Sequence, residues 1–245
     1  MNQALVVFLA ATATALATGI GALPFAFRRF RGDRLLGISN ALAAGVMLGA
    51  SASLLVEGAD RSIPRVVVGL VAGVAFVFAM QRSFRHVGTP ELGQLVGGDA
   101  RKAILIIAVM TAHSAAEGVG VGASFGGGAE LGLAITIAIA LHNIPEGVTI
   151  SLVMVPRGAT VRSAALWSIF TSLPQPLLAV PAYLFVEKFT AILPVGLGFA
   201  AGAMVWMVWR ELLPEAIDQL RRRSVVGWTT LAFTAMLAFQ TWLLA

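Results

Sequence analysis

The sequence predicts an all-α polytopic membrane protein of eight transmembrane helices. Composition is the first reason. The 245 residues are 58% hydrophobic and only 12% charged, with a mean hydropathy of +0.87, far from soluble globular usage. The second reason is how the apolar residues are grouped. They form eight stretches that suit a hydrocarbon core of about 30 Å, which needs roughly 20 helical residues to cross. The stretches lie near 4–26, 37–58, 64–82, 103–124, 131–155, 163–186, 192–214 and 225–244, and one transmembrane domain over 1–245 is expected.

The first stretch follows no basic segment and exceeds the apolar core of a secretory signal, so it reads as a retained span. The second and third are separated by Asp60, Arg61 and Pro64, and the longest loop, near 83–102, follows the third. The fourth and fifth carry ionisable residues at their centres. The sixth is interrupted by Pro174-Gln175-Pro176, whose missing amides free the carbonyls of Phe170 and Ser172. Such irregular backbone is tolerated at membrane depth where it lines a cavity. Ala200-Ala201-Gly202-Ala203-Met204 in the seventh echoes Ala43-Ala44-Gly45-Val46-Met47 in the second. The two run in opposite directions, which suggests an inverted repeat. Trp228 and Trp242 in the eighth, with Trp206 and Trp209 in the seventh, suit the membrane interface.

Basic residues set the orientation. Arg28, Arg29, Arg31, Arg34, Arg82, Arg85, Arg101, Lys102, Arg157, Arg162, Arg221, Arg222 and Arg223 all fall on one side of this plan, and only Arg61, Arg65 and Lys188 on the other. The positive-inside rule places the first group in the cytoplasm and both termini outside it. The pI near 11.0 therefore reflects topology rather than nucleic-acid binding. The absence of cysteine excludes disulfides and thiolate metal sites.

Two related motifs concentrate the chemistry. His113-Ser114-Ala115-Ala116-Glu117-Gly118 lies in the fourth stretch and His142-Asn143-Ile144-Pro145-Glu146-Gly147 in the fifth. The four-residue spacing puts each imidazole and carboxylate on one helix face, a turn apart. An acidic residue at a helix centre costs roughly 2.5–3.5 kcal/mol on insertion scales, so its presence there points to function. Counting about 1.5 Å per residue from the outer ends puts both histidines roughly 16 Å down, with Glu117 one turn above and Glu146 one turn below. Two neutral imidazoles and two carboxylates suit Zn²⁺, and also Fe²⁺, Mn²⁺, Co²⁺ or Cd²⁺, while Ca²⁺ and Mg²⁺ prefer all-oxygen sites. The two carboxylates balance a divalent charge. A proton relay through the same groups is one alternative. An intramembrane metal-dependent hydrolase is a weaker one, because the pattern His-Glu-X-X-His is absent.

Several lesser candidates accompany the motifs. Pro145 frees the carbonyl of Leu141 beside His142. Gly118, Gly122, Gly147 and Ser151 are expected to let the fourth and fifth helices approach closely. Met47 and Met204 fall near the midplane, where packing is the better account than soft ligation. Glu57 and Asp60 on the outer side, and Glu211, Glu215 and Asp218 on the inner side, read chiefly as interfacial charges.

His-Asn-Ile-Pro-Glu-Gly after Ala-Leu, in the fifth of eight spans, resembles the ZIP (Zrt/Irt-like) family of divalent metal transporters, with the bacterial GufA-like branch the most similar. The fourth-span motif and the Ala-Ala-Gly-X-Met segments are similar too, and the likeness covers essentially the whole chain. It implies a ZIP-like helical bundle that carries zinc or a related cation into the cytoplasm by alternating access, not an enzyme. It implies His113, Glu117, His142 and Glu146 as primary ligands, and no resident cofactor. Many members have a second, bridged metal site, whose positions here are Ser114, Asn143 and Gln175, with Met47 as a further pathway candidate. Ser114 stands where Asn is usual, and Gln175 where Glu is expected. A neutral hydroxyl and amide cannot offset a second divalent charge, so a mononuclear site is expected. The loop between spans three and four has only His86, so no cytosolic metal-sensing tract is expected. The expected partners are the metal ion as substrate, the lipid bilayer and a second copy in a homodimer, in a bacterial plasma membrane.

Overall fold

The computed structural model describes residues 2–26, 33–84, 98–155 and 158–243, and these residues are helical with short connections. Helix α1 spans Gln3–Ile20, capped by the Asn2 side chain, which accepts from the Ala4 amide at 3.1 Å. Helix α2 runs Asp33–Phe84 and is broken at Ser62, whose φ of −169° and ψ of 102° are extended. The break lies between the second and third predicted stretches, two residues before Pro64, whose ring disfavours helix in the residue ahead of it. Helices α3 (Gly98–Gly127) and α4 (Ala129–Met154) are joined at Gly128, whose φ of 138° favours glycine. Helices α5 (Val161–Ser172) and α6 (Pro174–Lys188) divide the sixth predicted stretch at Leu173, immediately before the expected Pro-Gln-Pro interruption. The Phe170 carbonyl freed by Pro174 accepts from the Leu173 amide at 3.2 Å. Helix α7 (Leu193–Met207) continues through a π-helical turn, Val208–Leu212, into α8 (Leu213–Gln219), and α9 is Arg222–Leu243.

Among the described residues, five helical segments are long and apolar enough to cross a membrane: Gln3–Ala26, Arg34–Ser83, Ala129–Leu152, Val161–Lys188 and Thr190–Gln219. The second holds two predicted stretches on either side of the Ser62 break. Helices α3 and α9 occupy the positions of predicted stretches four and eight but are not among the five. In α9, Thr229, Thr230, Thr234, Gln240 and Thr241 dilute the apolar residues. The basic residues Arg28, Arg29, Arg31, Arg85 and Arg157, together with His86, lie outside the described residues.

The helices pack as two groups. In one, the second half of α2 lies along α7, and the first half lies along α9. Glycines make the α2–α7 contact close. A Cβ on Gly69 or Gly73 would strike the carbonyls of Val195 or Phe199, and one on Gly198 or Gly202 those of Val66 or Leu70. Two small-residue ridges therefore face each other at four-residue spacing. The other group is α1, α3, α4, α5 and α6. The seam between the groups is formed chiefly where α4 meets α2 and α3 meets α7.

Candidate metal centre

His113 and Glu117 project from one face of α3, and His142 and Glu146 from one face of α4, at the meeting of the two groups. All four are buried, His142 and Glu117 completely. One ligand atom from each lies within 4.8 Å of all the others. His113 Nε2 is 2.9 Å from Glu117 Oε1, and His142 Nε2 pairs with the same oxygen. The four residues singled out from the motifs are thus brought together. Glu117, one turn along α3 from His113, is bonded to both histidines. Four atoms at about 2.1 Å from a tetrahedral ion would lie about 3.4 Å apart, so a bound ion would draw the set inward.

The two carboxylates differ in their surroundings. The second oxygen of Glu117, Oε2, accepts from Gln175 Nε2. Gln175 Oε1 in turn accepts from Asn143 Nδ2 at 3.2 Å and from the Thr14 hydroxyl. Asn143 Nδ2 also donates to the Thr14 carbonyl at 2.9 Å. Both oxygens of Glu146 are buried without a hydrogen-bond partner. Buried acceptors without partners are costly, so such a carboxylate suits a site built to meet a cation.

Beside Glu146 lies a cavity of about 10 Å³ lined by Ala43, Met47, Met110, His113, His142, Glu146, Met207 and Leu212, about the room a single water or small ion needs. Met47 reaches it from α2, as allowed for. Met204 does not line it and packs in the core. Met110 and Met207 were not singled out in the sequence, although Met110 sits one turn before His113 on the same face of α3. Thr14, equally unforeseen, joins α1 to the site. It is one of three threonines in the first apolar stretch, with Thr12 and Thr18, and nothing in the sequence sets it apart from them.

Of the secondary positions, Asn143 bonds to Gln175, and Gln175 reaches Glu117. Ser114 is buried and its hydroxyl has no partner. The glycine expectation is corrected. Gly118 and Gly122 face Gln175 and Ala179 of α6, and Gly147 faces Thr18 of α1 and Gly21 just after it. They seat α3 and α4 against α6 and α1 rather than against each other. The α6 contact brings the Gln175 backbone so near Gly118 that a Cβ there would overlap it, which is how the α6 amide reaches Glu117.

Two acidic residues, Glu211 and Glu215, are held by side-chain amides. Gln81 Nε2 donates to Glu211 Oε1 at 2.6 Å, and Asn40 Nδ2 donates to Glu215 Oε2 at 3.1 Å. Glu57 is paired with Arg61 at 2.8 Å, while Asp60 and Asp218 are exposed.

Residues 85–239 match the family model of the ZIP zinc transporters. Over 217 residues the chain is 32% identical to the zinc transporter GufA of Myxococcus xanthus, covering 82% of this chain and 84% of that protein. It is 30% identical over 217 residues to the zinc transporter ZIPB of Bordetella bronchiseptica, covering 81% and 69%. A putative zinc transporter of Arabidopsis thaliana is 45% identical over 232 residues, covering 94% of this chain. The chain spans only 37% of that plant protein's length.

Proposed function

Because the chain belongs to the ZIP zinc transporter family, we propose that it carries Zn²⁺ into the cytoplasm through a site made by His113, Glu117, His142 and Glu146. Membership in a transporter family sets the hydrolase reading aside. The supporting observation is the unpartnered, buried Glu146 carboxylate beside two imidazoles and a second carboxylate, with ligand atoms within 4.8 Å. Two carboxylates and two neutral imidazoles offset one divalent charge and offer the nitrogen and oxygen donors zinc takes.

The site takes one ion at a time. Gln175 turns an amide N–H toward Glu117 Oε2, on the side where a bridged second cation would need an anionic oxygen, and Ser114 adds only a neutral hydroxyl. The ion reaches alternate sides of a plasma membrane as the α1/α3–α6 group moves against the α2/α7–α9 group, with both chain termini outside the cytoplasm.

His142→Ala or Glu146→Ala in proteoliposomes abolishes zinc uptake while the purified protein elutes and melts as a folded helical species. Unchanged uptake rules out the site. The bonded series His113–Glu117–His142 also suits a proton path. Acidification of liposomes without any metal requirement would favour that reading instead.

A further inference from the structure

The seam between the two helix groups passes beside Glu146. Nearly every side-chain hydrogen bond between helices described above stays within one group. Asn143, Thr14, Gln175 and Glu117 bond inside the first; Gln81 with Glu211 and Asn40 with Glu215 bond inside the second. Thr149 is different. Its hydroxyl donates from α4 to Asn40 Oδ1 of α2 at 2.6 Å, across the seam. Thr149 lies three residues past Glu146, on the same face and about one turn farther along α4. Both partners are buried, Asn40 completely and Thr149 to 2% exposure.

The pair is also directional. Asn40 accepts from Thr149 with its oxygen and donates to Glu215 with its nitrogen. A neutral amide can do both only in one orientation. Thr149 therefore fixes which way Asn40 points, and so which of its atoms faces α8. The hydroxyl has a second acceptor available, the Pro145 carbonyl of its own helix at 3.3 Å. Leaving Asn40 would not orphan it. On the Thr149 side the bond thus has a ready replacement, while the buried Asn40 oxygen needs a new donor or a cation once the bond is broken.

We propose that the Thr149–Asn40 hydrogen bond is a latch that closes the α4–α2 seam beside Glu146, and that Thr149 is a positioning residue for release of the ion toward the α8 carboxylate Glu215. With the latch made, Asn40 holds Glu215 and α4 is pinned to α2. When Thr149 swings back to its own helix, the seam is free to part and Asn40 is free to turn its oxygen toward a passing cation. The assignment rests on reading the site as a carrier's binding site, but the latch is testable without transport.

The chain contains no cysteine, so a single reporter thiol is unambiguous. Ala43→Cys places one on the cavity wall, at a position that is 1% exposed. The rate at which N-ethylmaleimide labels it in the purified full chain reads opening of the seam. Thr149→Val and Asn40→Leu, each added to the reporter, speed labelling at least fivefold, and combining them adds little because one bond is lost either way. Thr149→Ser restores the slow rate. As a control for general loosening, Ser168→Ala removes a buried hydroxyl on α5 that bonds only within its own helix at 2.9 Å and leaves labelling slow. Equal labelling with and without Thr149→Val overturns the latch, as does acceleration by Thr149→Ser or Ser168→Ala to the same degree. Zinc uptake by the unmodified chain is measured in parallel. Its absence would count against the carrier reading and leave the labelling result standing.

Discussion

Glu117 and Glu146 lie in the same cluster yet stand in opposite kinds of surroundings. Glu117 accepts from His113, His142 and Gln175 and is tied through Gln175 to Asn143 on α4 and Thr14 on α1. Glu146 has no hydrogen bond at either oxygen and faces a cavity bordered by three methionines. The contrast assigns different physical duties to two residues of the same type. Without an ion, Glu117 organises the polar interior of its helix group. Glu146 contributes little to the fold and is left with acceptor capacity that a cation would satisfy.

The sharpest way to break that contrast is to neutralise each carboxylate in turn. Both Glu117→Gln and Glu146→Gln lower zinc uptake at least a hundredfold, since either removes one of two anionic ligands. Their effects on stability part ways. Replacing Glu117 disturbs a connected buried network, which costs about 3–5 kcal/mol when one partner of a buried pair is lost. Replacing Glu146 removes a carboxylate that has no partner, so metal-free stability stays level or rises. Thermal unfolding of both variants in the presence of a chelator checks this. Equal destabilisation would erase the distinction between the two carboxylates.

Much of this was legible in the sequence because charge inside an apolar helix is conspicuous. The spacing in His113/Glu117 and His142/Glu146 located the cluster, and Pro174-Gln175-Pro176 located the break between α5 and α6. The roles of the glycines were misassigned. Gly118 and Gly147 follow their motifs in the same way, but helix spacing says which residues share a face and not which neighbour that face meets. Met110 and Met207 escaped notice because an apolar residue in an apolar helix carries no signal of its own. The Thr149–Asn40 bond joins residues 109 positions apart, and each alone reads as an ordinary polar residue in a span.

A second test works on the Glu117 side. Gln175→Glu replaces the amide donor with a carboxylate against Glu117 Oε2. It introduces the anionic charge that a bridged second cation needs, and it removes the donor that occupies that oxygen. Zinc stoichiometry, measured by equilibrium dialysis, rises from one to two ions per chain. At low zinc the variant is less stable than the parent, because two buried carboxylates face each other without a cation between them. Binding that stays at one ion would mean that Ser114, rather than Gln175, limits the site.

The smallest effect is expected on the Glu146 side, from the methionines. Thioethers are weak, soft donors, and Cd²⁺ is softer than Zn²⁺. If Met47 contributes only packing, Met47→Leu is close to isosteric and alters uptake of both ions equally, with less than about 1.5 kcal/mol lost in stability. If its sulfur meets the ion, the same substitution lowers Cd²⁺ uptake several-fold more than Zn²⁺ uptake. The proposed division between the carboxylates predicts the second outcome. Contacts to the ion beyond the four proposed ligands come from the open side, where Met47, Met110 and Met207 border the cavity with Glu146. Competition between the two ions on reconstituted Met47→Leu, with Met204→Leu as the control for a methionine packed in the core, separates the outcomes. A selective loss confined to Met47 places sulfur next to the ion. Matched losses at both positions return the methionines to packing.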